Sequence, residues 1–263
     1  MRPAGVATAL YGWMERYRRD GLEWDWPSLY GACAAAGVEA IETDPTPDKL
    51  AILRDLGLRV SSSYIGLPLA APGAGEDLKA SVLPVAERLA AAGGRVLTLN
   101  ADPVPGAGPR TEDDARRQGE QLSRAAELVR PLGLRIALHN HADRFEDARL
   151  DLASVVEHAS AEVGLCIDAH WAAVAGHDPV TWARQHGDRV LSLHLRNGHG
   201  RVPTEGLDEG DVDVAALLAA LPDYTGWLTL ELWHPDSMTP ERSMGEDTRL
   251  AAGYLRGLVA APA

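Results

Sequence analysis

Eight short apolar runs alternate with longer segments of helical spacing from one end of the chain to the other, and no other feature restricts the fold so tightly. The runs occupy residues 5–11, 37–43, 57–63, 94–100, 133–139, 162–168, 189–195 and 226–232, and are rich in Val, Leu, Ile and Ala. Nearly continuous apolar runs of this length suit parallel strands buried on both faces, and parallel strands need a long crossover between them. The intervening segments supply it: PSLYGACAAAG, TPDKLAILRDLG, EDLKASVLPVAERLAAAG, EDDARRQGEQLSRAAELVRPLG, DPVTWARQHG and DVAALLAALP carry helical spacing. After the first run, five are entered through a glycine (Gly37, Gly57, Gly94, Gly133, Gly226), as expected where a helix ends in a left-handed cap before the chain turns back into a sheet. Thr46 ahead of Pro47, and Thr111 with Asp114 three residues on, predict helix N-termini. Eight βα units in 263 residues predict an α/β fold, a single (β/α)8 TIM barrel domain over residues 1–263.

A doubly wound open sheet is the structural rival. It calls for a phosphate-binding glycine-rich turn after its first strand, and YGWMERYRRDG has none of that pattern. The Pro/Gly-rich stretches 67–77 and 101–113 each follow a strand and precede a helix, so they read as long βα loops rather than as a linker. The net charge of −13 disfavours a nucleic-acid partner. Cys33 and Cys166 sit in apolar contexts and read as buried free thiols, which fits a reducing, cytoplasmic setting. The N-terminus lacks a basic region followed by an apolar one, and no apolar run is long enough to span a membrane, so secretion and membrane insertion are not expected.

The runs are apolar, but their ends are not. Glu42 and Asp44 close the second, Asn100 the fourth, His139, Asn140 and His141 the fifth, Asp168 and His170 the sixth, His194 the seventh, and Glu231 and His234 the eighth. If the barrel closes, these residues meet at its C-terminal mouth, where such folds build their sites. His139 or His141, Asp168, His194 and Glu231 are metal ligands by chemistry, from four consecutive strands. Imidazoles and carboxylates without thiolates suit a divalent ion, Mn²⁺ first, with Mg²⁺, Co²⁺ or Zn²⁺ as alternatives. A lone strand histidine is more often a hydrogen-bonded core residue. An ionised carboxylate at the end of an apolar strand is costly unless paired or coordinating, so Asp168 and Glu231 weigh more.

With these residues in view, the chain resembles the sugar phosphate isomerase/epimerase superfamily with a xylose-isomerase-like TIM barrel, which includes ketose 3-epimerases and inosose dehydratases. GVEAIET, LRDLGLRVSSS, LRIALHNHADRFED, VGLCIDAHWAAVAGHDP, RVLSLHLRNG and GWLTLELWHP carry the resemblance. It implies Asp168, His194 and Glu231 as ligands, with a fourth at the end of the fifth strand. There the sequence departs from the epimerase pattern, with His139 where those enzymes carry glutamate, and HNH together with Trp171 resembles the inosose dehydratase branch.

Such a site suits proton abstraction next to a carbonyl, with the ion holding the enediolate charge. Glu231 is the expected base, with His139 or His141 as partner acid or base. Returning the proton gives a sugar isomerase or epimerase; expelling a β-hydroxyl gives a dehydratase or lyase of a keto-sugar or keto-cyclitol. A barrel that binds a sugar or a partner subunit without turnover, and a nuclease needing more metal ligands and a basic rim, are the readings of other classes. Arg196 and Arg201 are candidates to hold the sugar or cyclitol substrate, as are Asn100 and His170, or else a surface pair in the case of the arginines. Trp13, Trp171, Trp233 and Tyr64 are candidates for an apolar wall against a sugar ring, or else core packing, and Glu42 for positioning a hydroxyl or orienting a ligand. Barrels of this kind commonly pair, so a homodimer is an expected state.

Overall fold

The computed structural model describes residues 1–75, 77–104, 106–142 and 147–260. In chain order the elements are β1 (Gly5–Thr8), α1 (Tyr11–Arg19), α2 (Trp26–Ala35), β2 (Ala40–Glu42), α3 (Pro47–Asp55), β3 (Arg59–Leu67) and α4 (Leu78–Ala91). There follow β4 (Val96–Ala101), α5 (Glu112–Val129), β5 (Arg135–His139), α6 (Ala148–Val156), β6 (Gly164–Asp168), α7 (Ala169–Val174) and α8 (Pro179–His186). The last part holds β7 (Val190–Leu195), a small hairpin of β8 (Gly198–His199) and β9 (Val202–Pro203), α9 (Val214–Ala219), β10 (Trp227–Leu230) and α10 (Met244–Ala260). Eight parallel strands close into a barrel in the order β1-β10-β7-β6-β5-β4-β3-β2, with β1 paired to both β10 and β2.

Local chemistry explains most element ends. Thr111 and Asp114 form the capping box at the start of α5, and Asp25 with Ser28 forms another at α2. Thr46 occupies the N-cap of α3 without a side-chain hydrogen bond, so Pro47 at the first helical position does the punctuation there. Gly37, Gly57 and Gly133 have the left-handed φ expected before a strand, at 84°, 70° and 73°. Ahead of β4 it is Gly93, not Gly94, that takes this conformation, and Gly226 does not take it. The first and last barrel strands are shorter than the apolar runs: Tyr11 already opens α1, and Glu231 lies one residue beyond β10. Its amide still donates to the Leu195 carbonyl at 3.0 Å, so the ladder holds Glu231 in strand register.

Bulk is unevenly distributed across the barrel wall. The outward strand positions Ile41, Leu97, Leu99, Ile136, Leu138, Ile167, Leu193 and Leu230 are buried, in one core with helix residues such as Leu29, Leu53, Leu89 and Leu122. Each such side chain contributes about 1.5–3 kcal/mol on burial, as an upper bound. The inward positions two residues before the polar strand ends are instead small: Ala40, Thr98, Ala137, Cys166, Ser192 and Thr229 stand below Glu42, Asn100, His139, Asp168, His194 and Glu231. Register pairs Thr98 with Ala137, Cys166 with Ser192, and Thr229 with His194, which places them on the same inner face.

Candidate active site

Four strands bring a polar cluster to the C-terminal mouth. His139 Nε2 lies 3.4 Å from Glu231 Oε2 and 3.5 Å from Asp168 Oδ2. His194 Nδ1 lies 3.0 Å from the same Glu231 oxygen. One ligand atom from each of His139, His194 and Glu231 falls within 4.8 Å of the others. The other ring nitrogen of His194, Nε2, meets Glu42 at 3.3 Å, and Glu42 in turn accepts a 2.6 Å hydrogen bond from the Ser62 hydroxyl. His139 and His194 are 1% and 0% exposed, so their charge states are set by these neighbours and not by solvent.

The electrostatics are those of a self-neutralising apo cluster. Burial, the largest influence on His139, works against its proton, but hydrogen bonds to Asp168 and Glu231 outweigh it and push the imidazole up to about 10. His194 is raised well above its ordinary value in the same way, against burial, by Cys166, Glu42 and Glu231. Burial would raise Glu231, yet His194 and His139 hold its carboxyl well below the usual carboxylate range.

Asp168 stands at the edge of this group. Its Oδ2 takes Arg196, with Nε at 3.0 Å and Nη2 at 2.9 Å, and its Oδ1 caps α7 by accepting from the Trp171 amide at 2.7 Å. Both oxygens are thus engaged, and Asp168 stands beside the three converging donors, touching only His139 among them. Asn140, on the opposite side of β5 from His139, fixes this corner from the neighbouring strand. Its side chain donates to the Asp168 carbonyl at 3.1 Å and accepts from the Asp168 amide at 2.9 Å.

The remaining predicted residues separate into those near the cluster and those elsewhere. Of the two strand-end histidines, His139 has the nitrogen beside Glu231; His141 lies with its ring 4.3 Å from Trp171, and its amide donates to Asp151. Tyr64, 38% exposed, sets its ring 5.5 Å from His139 and 6.3 Å from His194. Trp171 lies under the Arg196 guanidinium at 4.5 Å, and Arg201 approaches the same indole at 5.8 Å while donating to the Ala142 carbonyl. His170 faces away from the group, with Nε2 2.9 Å from the Gly200 carbonyl, so it ties α7 to the β8–β9 hairpin. Asn100 spends its amide on Asp102 at 2.8 Å. Trp13 is only 2% exposed and its indole N–H donates to Thr8 on the outer side of β1, a core position and not a wall of the mouth. Tyr11 takes that place instead, 6.3 Å from Trp233, which lies 6.4 Å from Trp171.

Sequence reasoning missed Ser62, since a serine inside GLRVSSS carries no signal of its own. It also missed a buried trio beneath the loop after β5, where Arg110 pairs with Asp151 at 2.6 Å and Gln118 bridges to Asp151 at 3.1 Å. Among the described residues no helix is long and apolar enough to cross a membrane. Both cysteines are buried and unbridged.

Comparison with known proteins places this geometry. Over 133 residues, 43% of this chain and 41% of the relative, it is 26% identical to the rhizopine catabolism protein MocC of Rhizobium meliloti. Over 131 residues, 42% of each chain, it is 27% identical to the inosose dehydratase of Geobacillus kaustophilus. The matched segment thus spans about two fifths of those relatives' length. The fold superposes on the D-psicose 3-epimerase of Clostridium cellulolyticum H10, solved with D-tagatose, with a TM-score of 0.76 at 15% identity, over 98% of this chain and 100% of that one. The pattern of one family, described as xylose isomerase-like TIM barrel, runs through residues 30–256, and the chain belongs to that family.

Proposed function

We propose that the protein is a divalent-metal-dependent enzyme of the sugar isomerase/epimerase class, acting on a ketose or keto-cyclitol by proton transfer next to a carbonyl. The observation that carries this reading is the convergence of His139 Nε2, His194 Nδ1 and Glu231 Oε2 in a buried pocket of strand ends. Two buried imidazoles and a half-buried carboxylate crowded together fit a cation of the Mn²⁺ type, because shared protons or a shared ion relieve their desolvation. His139, His194 and Glu231 would hold it, with Asp168 joining if its Oδ2 is released from Arg196. When bound, the ion supplies Lewis-acid stabilisation of the negative charge that develops on the substrate oxygens.

The chain's own groups would then divide the work. Glu231 is ionised at neutral pH and is the acceptor for the carbon-bound proton. His139 would spend Nε2 on the ion, so His141, with its ring 6.0 Å from that of His139, is the partner that returns a proton. Glu42 accepts only, so it keeps the proton of His194 on Nε2 and leaves Nδ1 free toward the pocket. Tyr64, Trp171, Trp233 and Tyr11 provide apolar surface for a sugar ring, and Arg196, locked to Asp168, acts as a strut beside them.

Elimination is the second reading, favoured by His139 in place of a second carboxylate and by the match to an inosose dehydratase. A histidine outside the ion's ligand set, such as His141, can carry a proton to a leaving hydroxyl. One experiment addresses both. The protein is loaded with Mn²⁺ and incubated in D₂O with a panel of ketoses and scyllo-inosose, and products are read by NMR. Deuterium at the carbon next to the carbonyl, lost in Glu231→Gln, supports proton transfer. Loss of water from the product assigns elimination. No exchange and no dehydration across the panel, in protein shown to bind Mn²⁺, overturns the proposal.

A further inference from the structure

The end of the barrel away from the polar cluster holds a cavity of about 760 Å³, lined by the first residues of β3, β4, β5, β7 and β10 and the loops that enter them. Its volume lies within the range of small-molecule sites. The small inward side chains make room for it, and Ser62 and Ser192 are among the groups that line it from inside the barrel.

Charge distinguishes this opening from an ordinary packing void. Arg95, Arg135 and Arg184 line it and are exposed, and among the described residues none of their side chains makes an ion pair or a hydrogen bond. Arginines elsewhere are mostly taken: Arg16, Arg59, Arg88, Arg110, Arg117, Arg149, Arg196 and Arg242 each have a carboxylate within 4.0 Å. Next to the opening, Arg189 is spent on the carbonyls of Val163, Val155 and Ser160. Burial is the main influence lowering its pKa; Asp188 raises it and Arg135 lowers it further, so positive charge at this end is crowded and only partly screened. Asp188 and Asp223 also lie on the rim, but neither pairs with the three arginines. On a chain of net charge −13, free guanidiniums collected at one mouth are an uncompensated attraction for an anion.

We propose that this N-terminal opening is a second binding site, separate from the cluster at the C-terminal mouth, for a sugar-sized organic anion. Arg95, Arg135 and Arg184 would take its phosphate or carboxylate, and the Ser192 hydroxyl would meet its polyol part, with the Ser62 oxygen acting only as an acceptor because its proton goes to Glu42.

Isothermal titration of the full chain, with and without Mn²⁺, tests this with four probes: D-glucose 6-phosphate, D-gluconate, D-glucose and inorganic phosphate. The expected result is binding of one or both sugar anions, at least tenfold tighter than glucose or phosphate alone. Arg135→Ala and Arg184→Ala weaken it about tenfold each, the usual size of one lost charge-assisted contact. Both side chains are exposed, so far-UV circular dichroism of these variants should match the parent. Ser192→Leu, which fills the cavity, abolishes binding, whereas Glu231→Gln leaves it unchanged. A sugar phosphate preferred over gluconate assigns the phosphate. Four outcomes overturn the proposal: neither anion binds; inorganic phosphate binds as well as the sugar anions; the arginine variants bind like the parent; or Glu231→Gln removes binding, which would move the ligand to the other mouth.

Discussion

Replacing Glu42 by glutamine tests the proposed metal centre at a residue that does not itself touch the ion. Glu42 is 6% exposed and has two partners, the Ser62 hydroxyl at 2.6 Å and His194 Nε2 at 3.3 Å. Glutamine keeps its volume, and its carbonyl can still accept from Ser62. Both partners meet the same oxygen, Oε2, so a glutamine carbonyl placed there keeps both contacts, but as a neutral acceptor. The tautomer with its proton on Nε2 is kept, and Nδ1, the nitrogen 3.0 Å from Glu231, stays the one a cation would use. Glu42→Gln therefore loses only the charge assistance, whereas Glu42→Ala leaves Nε2 without its acceptor. Removal of such an outer partner costs about 10–100-fold in metal affinity, or about 1.4–2.8 kcal/mol, expected in full for Glu42→Ala and in smaller part for Glu42→Gln. The assay is Mn²⁺ titration of metal-free protein followed by electron paramagnetic resonance of the free ion. Parent-like affinity in Glu42→Ala, or a greater loss in Glu42→Gln than in Glu42→Ala, would refute the orientation argument.

Further outcomes follow from the same structure. Near pH 7 the metal-free cluster holds protons on His139 and His194, so Mn²⁺ binding should release between one and two protons per ion, measured by titration in buffers of different ionisation enthalpy. Because the folded pKa of His139 is raised, its contribution to stability is fully present below its ordinary value of 6.5 and is lost as pH rises toward about 10. Melting temperature of the metal-free protein should fall across that window, and a flat profile would count against the shift. Asn140→Leu leaves the Asp168 amide and carbonyl without their side-chain partner in a site 5% exposed, and should cost about 2–6 kcal/mol in urea unfolding at 1–3 per orphaned group. Arg110→Met strands Asp151, with side chains 8% and 3% exposed, and should cost about 3–5 kcal/mol by the same measurement.

The barrel could be read from the chain because period and punctuation agree: every apolar run holds a strand, and the six segments of helical spacing hold α2, α3, α4, α5, α8 and α9, while α1, α6, α7 and α10 were not read from spacing. Boundaries slipped where apolar character outlasts the ladder, as in the run 5–11, whose last residue Tyr11 belongs to α1. The strand-end rule brought His139, His194, Glu231 and Glu42 together, since closure alone decides that. It could not foresee that Arg196 would occupy Asp168, because a pairing between consecutive strands depends on side-chain rotamers and not on period. Nor could it separate Trp13 from Tyr11: both sit near a strand end, and only the helix phase sends one inward to Thr8 and leaves the other at the mouth.

The slim inner lining under the polar strand ends leaves the height of each working group adjustable. Ala40, Ala137, Ser192 and Thr229 each stand two residues below one of them, so a bulkier side chain at any of the four presses on the group above it and leaves the identity of every cluster residue unchanged. A shift of about 1 Å at reacting groups is worth as much as 10²-fold in rate. Variation at these quiet positions is therefore a route by which a lineage could retune which substrate is turned over while the visible chemistry stays the same.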